Sequence, residues 1–118
     1  DTLSGAAGRD RLFGGEGRDR LNGGGSRDFL FGEGGDDRLY GDEGNDDLDG
    51  GGNVDRLFGG NGADQLLGGS GNDKLYGEAD DDRLSGGRGI DLLRGGTGTD
   101  DSLDDDAEDD EAEFEDDD

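Results

Sequence analysis

Along this chain leucine returns at every ninth residue, from Leu12 through Leu21, Leu30, Leu39, Leu48, Leu57, Leu66, Leu75 and Leu84 to Leu93. Helices repeat their apolar side every three to four residues and half-buried strands every two, so neither element runs on through this pattern. The period belongs instead to a chain that turns once per nine residues and offers one inward apolar side chain each time. Asp stands two residues before each of these leucines, which puts carboxylate and leucine on the same side of a short extended segment. Read in steps of nine from Gly5, the chain forms eleven blocks without insertion or deletion, among them GGEGRDRLN, GGNGADQLL and GGSGNDKLY, after a half block DTLS.

Three columns hold the blocks in phase. The first position is Gly in all eleven, from Gly5 to Gly95, and the eighth is Leu in ten, failing only at Ser102. The sixth is Asp throughout: Asp10, Asp19, Asp28, Asp37, Asp46, Asp55, Asp64, Asp73, Asp82, Asp91 and Asp100. Positions one to five are rich in Gly, which supplies the positive φ of a tight turn, and positions seven to nine read as a three-residue strand. Two blocks then close a flattened coil of eighteen residues with a strand on each side. Successive coils stack about 4.8 Å apart as parallel sheets. The expected fold is all-β, a parallel β-roll or β-solenoid over residues 1–103, with no helix in the body and an acidic, disordered tail over residues 104–118. Collagen is excluded, because its glycine period is three.

Composition makes that fold conditional. Hydrophobic residues make up 25% of the chain and Gly contributes 29 residues, so the ordinary expectation is disorder unless some device offsets the ordering entropy. The net charge of −24 is uneven: residues 104–118 carry twelve acidic groups and no basic one, which leaves −12 for residues 1–103. Within those residues eleven acidic groups outside the Asp column and Asp1 are matched by eleven basic ones. The unmatched charge of the body is therefore essentially the Asp column itself. So acidic a chain repels nucleic acid and anionic lipid. No apolar run is long enough for a membrane-spanning helix, no signal-peptide pattern is present, and a start at Asp1 without Met reads as a piece of a longer chain.

Stacking places Asp10 over Asp28 and Asp19 over Asp37, a carboxylate at the mouth of every turn. Such columns repel unless a cation lies among them. With His, Cys and Met absent, the donors are carboxylates and turn carbonyls, an all-oxygen set that suits Ca²⁺ and not Zn²⁺ or copper. Neither an EF-hand loop nor a phosphate-binding Gly-Lys-Ser/Thr loop occurs, and no block departs from the pattern to set apart a catalytic acid and base.

The blocks quoted above resemble the Gly-Gly-x-Gly-x-Asp-x-apolar-x nonapeptide of RTX, or haemolysin-type, calcium-binding proteins, and the resemblance covers residues 1–103. It implies several Ca²⁺ ions held between stacked turns by the eleven sixth-position aspartates. It also implies export in the unfolded state by type I secretion and folding outside the cell, as a non-catalytic module that can belong to a larger secreted enzyme or toxin. The pattern departs at the fourth position in Ser26, Asn53 and Asp80, and at the second in Ala6, Glu33, Asp42 and Glu78. A left-handed backbone is costly for residues with a Cβ, so these turns are expected to be the weakest.

Positions seven and nine face outward. On the sheet of even-numbered blocks they read Arg20, Arg38, Arg56, Lys74 and Leu92 beside Asn22, Tyr40, Phe58, Tyr76 and Arg94. A basic column beside an aromatic one (Arg20, Arg38, Tyr40, Arg56, Phe58, Lys74, Tyr76) is a possible ligand face. Its candidate partners are an acidic polysaccharide, through ion pairing and ring stacking, or a neighbouring domain. The plain alternative is arginine packed on neighbouring rings as a soluble sheet face.

Overall fold

The computed structural model describes residues 1–103 and 111–113 and holds no helix among them. Its strands are β1 Thr2–Ser4, β2 Arg11–Phe13, β3 Arg20–Gly24, β4 Phe29–Phe31, β5 Arg38–Asp42, β6 Asp47–Asp49, β7 Arg56–Gly60, β8 Gln65–Ser70, β9 Lys74–Glu78, β10 Arg83–Arg88, β11 Leu92–Arg94, β12 Asp101–Leu103 and β13 Glu111–Glu113. Odd-numbered strands form one sheet in the order β1-β3-β5-β7-β9-β11-β13, and even-numbered strands form the other in the order β2-β4-β6-β8-β10-β12. Every pairing is parallel. The chain is a flat β-solenoid, 33 × 32 × 14 Å, wound as the nine-residue period requires.

Register follows the eighteen-residue coil, with Leu21 beside Leu39, Leu57, Leu75 and Leu93, and Leu12 beside Leu30, Leu48, Leu66 and Leu84. The strand at the C-terminal end breaks step: β13 sets Glu111 beside Leu92, one residue later than the period would place it. Those three residues are the only described part of the acidic stretch, and the rest of the tail expectation lies outside the described residues.

The interior is made of three columns per sheet. Along each coil Asp, Leu and the next block's Gly alternate inward while positions seven and nine alternate outward, which is the two-residue period of a strand. All ten core leucines are buried, and among the described residues no other hydrophobic residue type joins them. Gly at the first position is a packing requirement. A Cβ on Gly50 would lie 2.7 Å from Asp55 Oδ2 and 2.8 Å from the Gly68 carbonyl oxygen on the next coil.

The turn takes its shape from positive φ at the second and fourth positions of all eleven blocks. The seven residues there that are not Gly adopt it too: Ala6, Ser26, Glu33, Asp42, Asn53, Glu78 and Asp80, with φ between 70° and 77°. None of the irregular turns is lost, and the neighbouring coils show how they are kept. After Glu33, Asp42 and Glu78 the hydrogen bond from the third-position N–H to the preceding coil is 3.0–3.1 Å, against 2.9 Å after Gly24, Gly51, Gly60, Gly69 and Gly96. Asn53 Oδ1 accepts from the Gly35 N–H at 3.0 Å and Asp80 Oδ2 from the Gly62 N–H at 2.8 Å, so these two turns gain a bond of their own.

Two glycines of one turn separate packing from backbone freedom. Gly52 has no positive φ and its Cβ would meet only Ser70 Oγ at 3.7 Å. Gly52→Ala should leave folding in calcium unchanged or stabilise it by up to about 1 kcal/mol, whereas Gly50→Ala should cost about 1–3 kcal/mol by overpacking. Urea unfolding of the two variants in calcium checks this, and equal stabilities would contradict the packing role of the first position.

Candidate metal centre

The eleven sequence-predicted aspartates fall into two columns, one along each edge of the slab: Asp10, Asp28, Asp46, Asp64, Asp82 and Asp100 on one edge, and Asp19, Asp37, Asp55, Asp73 and Asp91 on the other. Sequence spacing placed them at the mouths of the turns, but the structure takes nine of them, Asp19 to Asp91, below the surface, at 0–5% exposed. The difference comes from the first-position Gly, whose missing side chain is the space the carboxylate fills.

Each carboxylate has two unlike oxygens. Oδ1 accepts the backbone N–H of the Asp one coil earlier, in nine bonds of 2.7–2.9 Å from Asp10→Asp28 to Asp82→Asp100. The Asp carbonyl in turn accepts an N–H from the following coil, as in Lys74 N to Asp55 O at 2.9 Å. Oδ2 meets no hydrogen-bond donor of the protein in any of the ten residues from Asp10 to Asp91. A buried carboxylate oxygen with nothing to neutralise it is costly.

Burial shows in the titration of the groups. It raises Asp37 from the ordinary 3.8 to about 6, Asp46 and Asp55 to about 7, and Asp64, Asp73 and Asp82 to about 8, with neighbouring carboxylates adding to the rise. Asp28 is raised for the same leading reason. Asp46, Asp55, Asp64, Asp73 and Asp82 therefore hold full charge at neutral pH only beside a cation.

These residues fit calcium in their chemistry. Among the described residues no three acidic side chains converge on one point, so carboxylates alone make no complete shell. The turn carbonyls are the remaining donors: the Gly68 oxygen and Asp55 Oδ2 come together over the Cα of Gly50, and the same pair recurs at each interior block. Carboxylate plus backbone oxygen, with no nitrogen or sulfur, is the donor set of a hard cation. The Asp columns with the first-position carbonyls are the residues that would hold it.

A family model for the RTX calcium-binding nonapeptide repeat matches residues 1–30, 22–57 and 58–93. The chain belongs to this family. As an RTX chain it is a calcium-binding repeat module with a β-solenoid fold. A comparison with curated proteins and one with solved structures give no match.

Sequence reasoning passed over a second ladder in the RTX turns. Fifth-position side chains bridge coils in four places: Asp36 to the Val54 N–H, Asn45 to Ala63, Asn72 to Ile90 and Asp81 to Thr99, at 2.8–3.0 Å. The signal was legible, because from block four onward the fifth position runs Asp, Asn, Val, Ala, Asn, Asp, Ile, Thr. Amide or carboxylate residues alternate in pairs with Val, Ala, Ile and Thr, and each of the four bridges spans one coil.

The outward columns sit in register as expected, Arg20 beside Arg38, Arg56 and Lys74, and Tyr40 beside Phe58 and Tyr76. The rings, however, stack on one another, with centroids 4.9–5.0 Å apart and planes within 5–8°, so Phe58 has both faces covered. Arg20 lies over the Tyr40 ring at 5.0 Å. The face therefore offers ring edges and guanidinium groups to solvent, with both faces of Tyr40 and Phe58 covered.

Linkage gives the sign of the pH effect. A carboxyl whose pKa rises on folding makes the folded state bind more protons, so its contribution is full below about pH 4 and is lost as pH climbs through the folded values of about 6 to 8. In EDTA, β-structure followed by far-ultraviolet circular dichroism should grow on acidification from pH 8 to pH 4. Loss of β-structure over that range would contradict the buried columns. A second check uses the column ends: Asp55 is bonded to the coils before and after it, whereas Asp10 donates to Asp28 and accepts from no earlier Asp. Asp55→Asn should raise the calcium midpoint on the order of tenfold and Asp10→Asn clearly less. Equal shifts would argue against sites shared between coils.

Proposed function

We propose that this chain is a non-catalytic folding module of a larger secreted protein, in which the two Asp columns take up Ca²⁺ outside the cell and convert an unfolded chain into the solenoid. One observation carries the reading: a row of buried carboxylate oxygens, from Asp10 to Asp91, that has no partner in the protein. Without a cation these groups oppose the fold they sit in, and with one they cross-link successive coils.

Ligand availability sets where the change occurs. Extracellular calcium modules bind at roughly 10⁻⁴ to 10⁻³ M, far above cytosolic free calcium, so the chain stays open during export and closes where calcium is plentiful. The acidic columns that keep it open inside the cell are the groups that close it outside. Since every buried carboxylate belongs to the repeated column, none of them is set apart for acid–base chemistry among the described residues.

Calcium titration followed by circular dichroism tests this. The chain in EDTA at pH 7.5 should show little β-structure, gain it cooperatively on addition of calcium, and lose it again on chelation, while magnesium at equal concentration should do much less. A chain already β-rich in EDTA at that pH would overturn the folding switch.

A further inference from the structure

A groove of about 550 Å³ runs along one edge of the slab where the fifth and seventh positions of successive coils meet. Its walls carry four guanidinium groups, Arg18, Arg20, Arg38 and Arg56. None of the four is in an ion pair among the described residues, where the side-chain pair is Arg27–Asp47 on the other sheet. Arg20, Arg38 and Arg56 stand directly beside one another in register, an arrangement of like charges that opposes sheet pairing unless something anionic lies over it.

The groove has its own carboxylates, from Asp1, Asp19, Asp36 and Asp37. Asp36 turns its Oδ1 to the Val54 N–H. Asp19 Oδ1 also pairs with the N-terminal ammonium at 2.6 Å, so the cations of the groove already exceed its four carboxylates by one. Asp19 and Asp37 belong to the proposed calcium column, and calcium over them cancels two of the four negative charges and widens the excess of positive charge.

We infer that this groove is an oxyanion-binding site that calcium strengthens. Its ligand is a sulfate, phosphate or carboxylate group, which guanidinium forks grip in two-point hydrogen bonds. The inference rests on the reading that the Asp columns bind calcium. Binding of the two ions is then coupled, and each must tighten the other by the same factor.

The full chain is titrated with calcium, in buffer whose ionic strength is balanced with chloride, alone, with sodium sulfate, and with dextran sulfate. Sulfate should lower the calcium midpoint about fivefold or more. The shift should vanish in Arg38→Ala plus Arg56→Ala, and in Arg38→Gln plus Arg56→Gln should the first pair fold poorly at saturating calcium. It should persist in Arg83→Ala plus Arg88→Ala, which removes the same charge from the other sheet. A shift with both probes shows that a free anion suffices, and a shift with dextran sulfate alone shows that the group must be carried on a polymer. An unshifted midpoint with both, or equal shifts in wild type and the Arg38/Arg56 variants, overturns the groove while leaving calcium binding intact. Failure of calcium to act without any sulfate would instead overturn the reading beneath it.

Discussion

The structure depends on a carboxylate buried in each interior half-coil. One oxygen of each interior Asp column member ties its own coil to the one before through a backbone N–H, and the other oxygen is left without a donor. Asp builds the ladder and at the same time makes it costly to close, because burial lifts its pKa toward or past neutrality. Calcium-binding repeats resolve that conflict with a cation, which turns the most unfavourable groups in the interior into cross-links.

Everything else in the repeat makes room for that carboxylate. Gly at the first position gives up its side chain so that Oδ2 can lie against its Cα, and positive φ at the second and fourth positions bends the chain tightly enough to bring carbonyl oxygens toward the same space. The leucine column is one side chain wide on each sheet and is completely buried. A core so thin leaves much of the balance of stability to the backbone pairing between coils.

Stacking also repeats every outward residue at strand spacing, and the repeats do not all behave alike. Rings in register satisfy one another, as Tyr40, Phe58 and Tyr76 do. Guanidinium groups in register cannot, and the column Arg20, Arg38, Arg56 lies beside Asp19 and Asp37 in one groove. A change in the charge of the Asp column would therefore be felt on the surface of the same coils, where a basic strip of an otherwise acidic chain lies against it.

The amino-acid sequence by itself determined the period, the coil of eighteen residues, the two parallel sheets, the leucine core and the identity of the aspartates, because each depends on spacing along one chain and the repeat states it eleven times. It also marked the seven positions where a residue with a Cβ would have to adopt positive φ. Spacing alone could not tell how deep Asp55 lies or that its two oxygens differ, since both depend on the empty side of Gly50 and on an N–H eighteen residues away. Nor could it show that the rings of Tyr40, Phe58 and Tyr76 stack on one another while Arg38 and Arg56 beside the Asp column form no ion pair among the described residues. Those are contacts between coils, and only the tertiary stack brings residues eighteen apart to within bonding distance of each other.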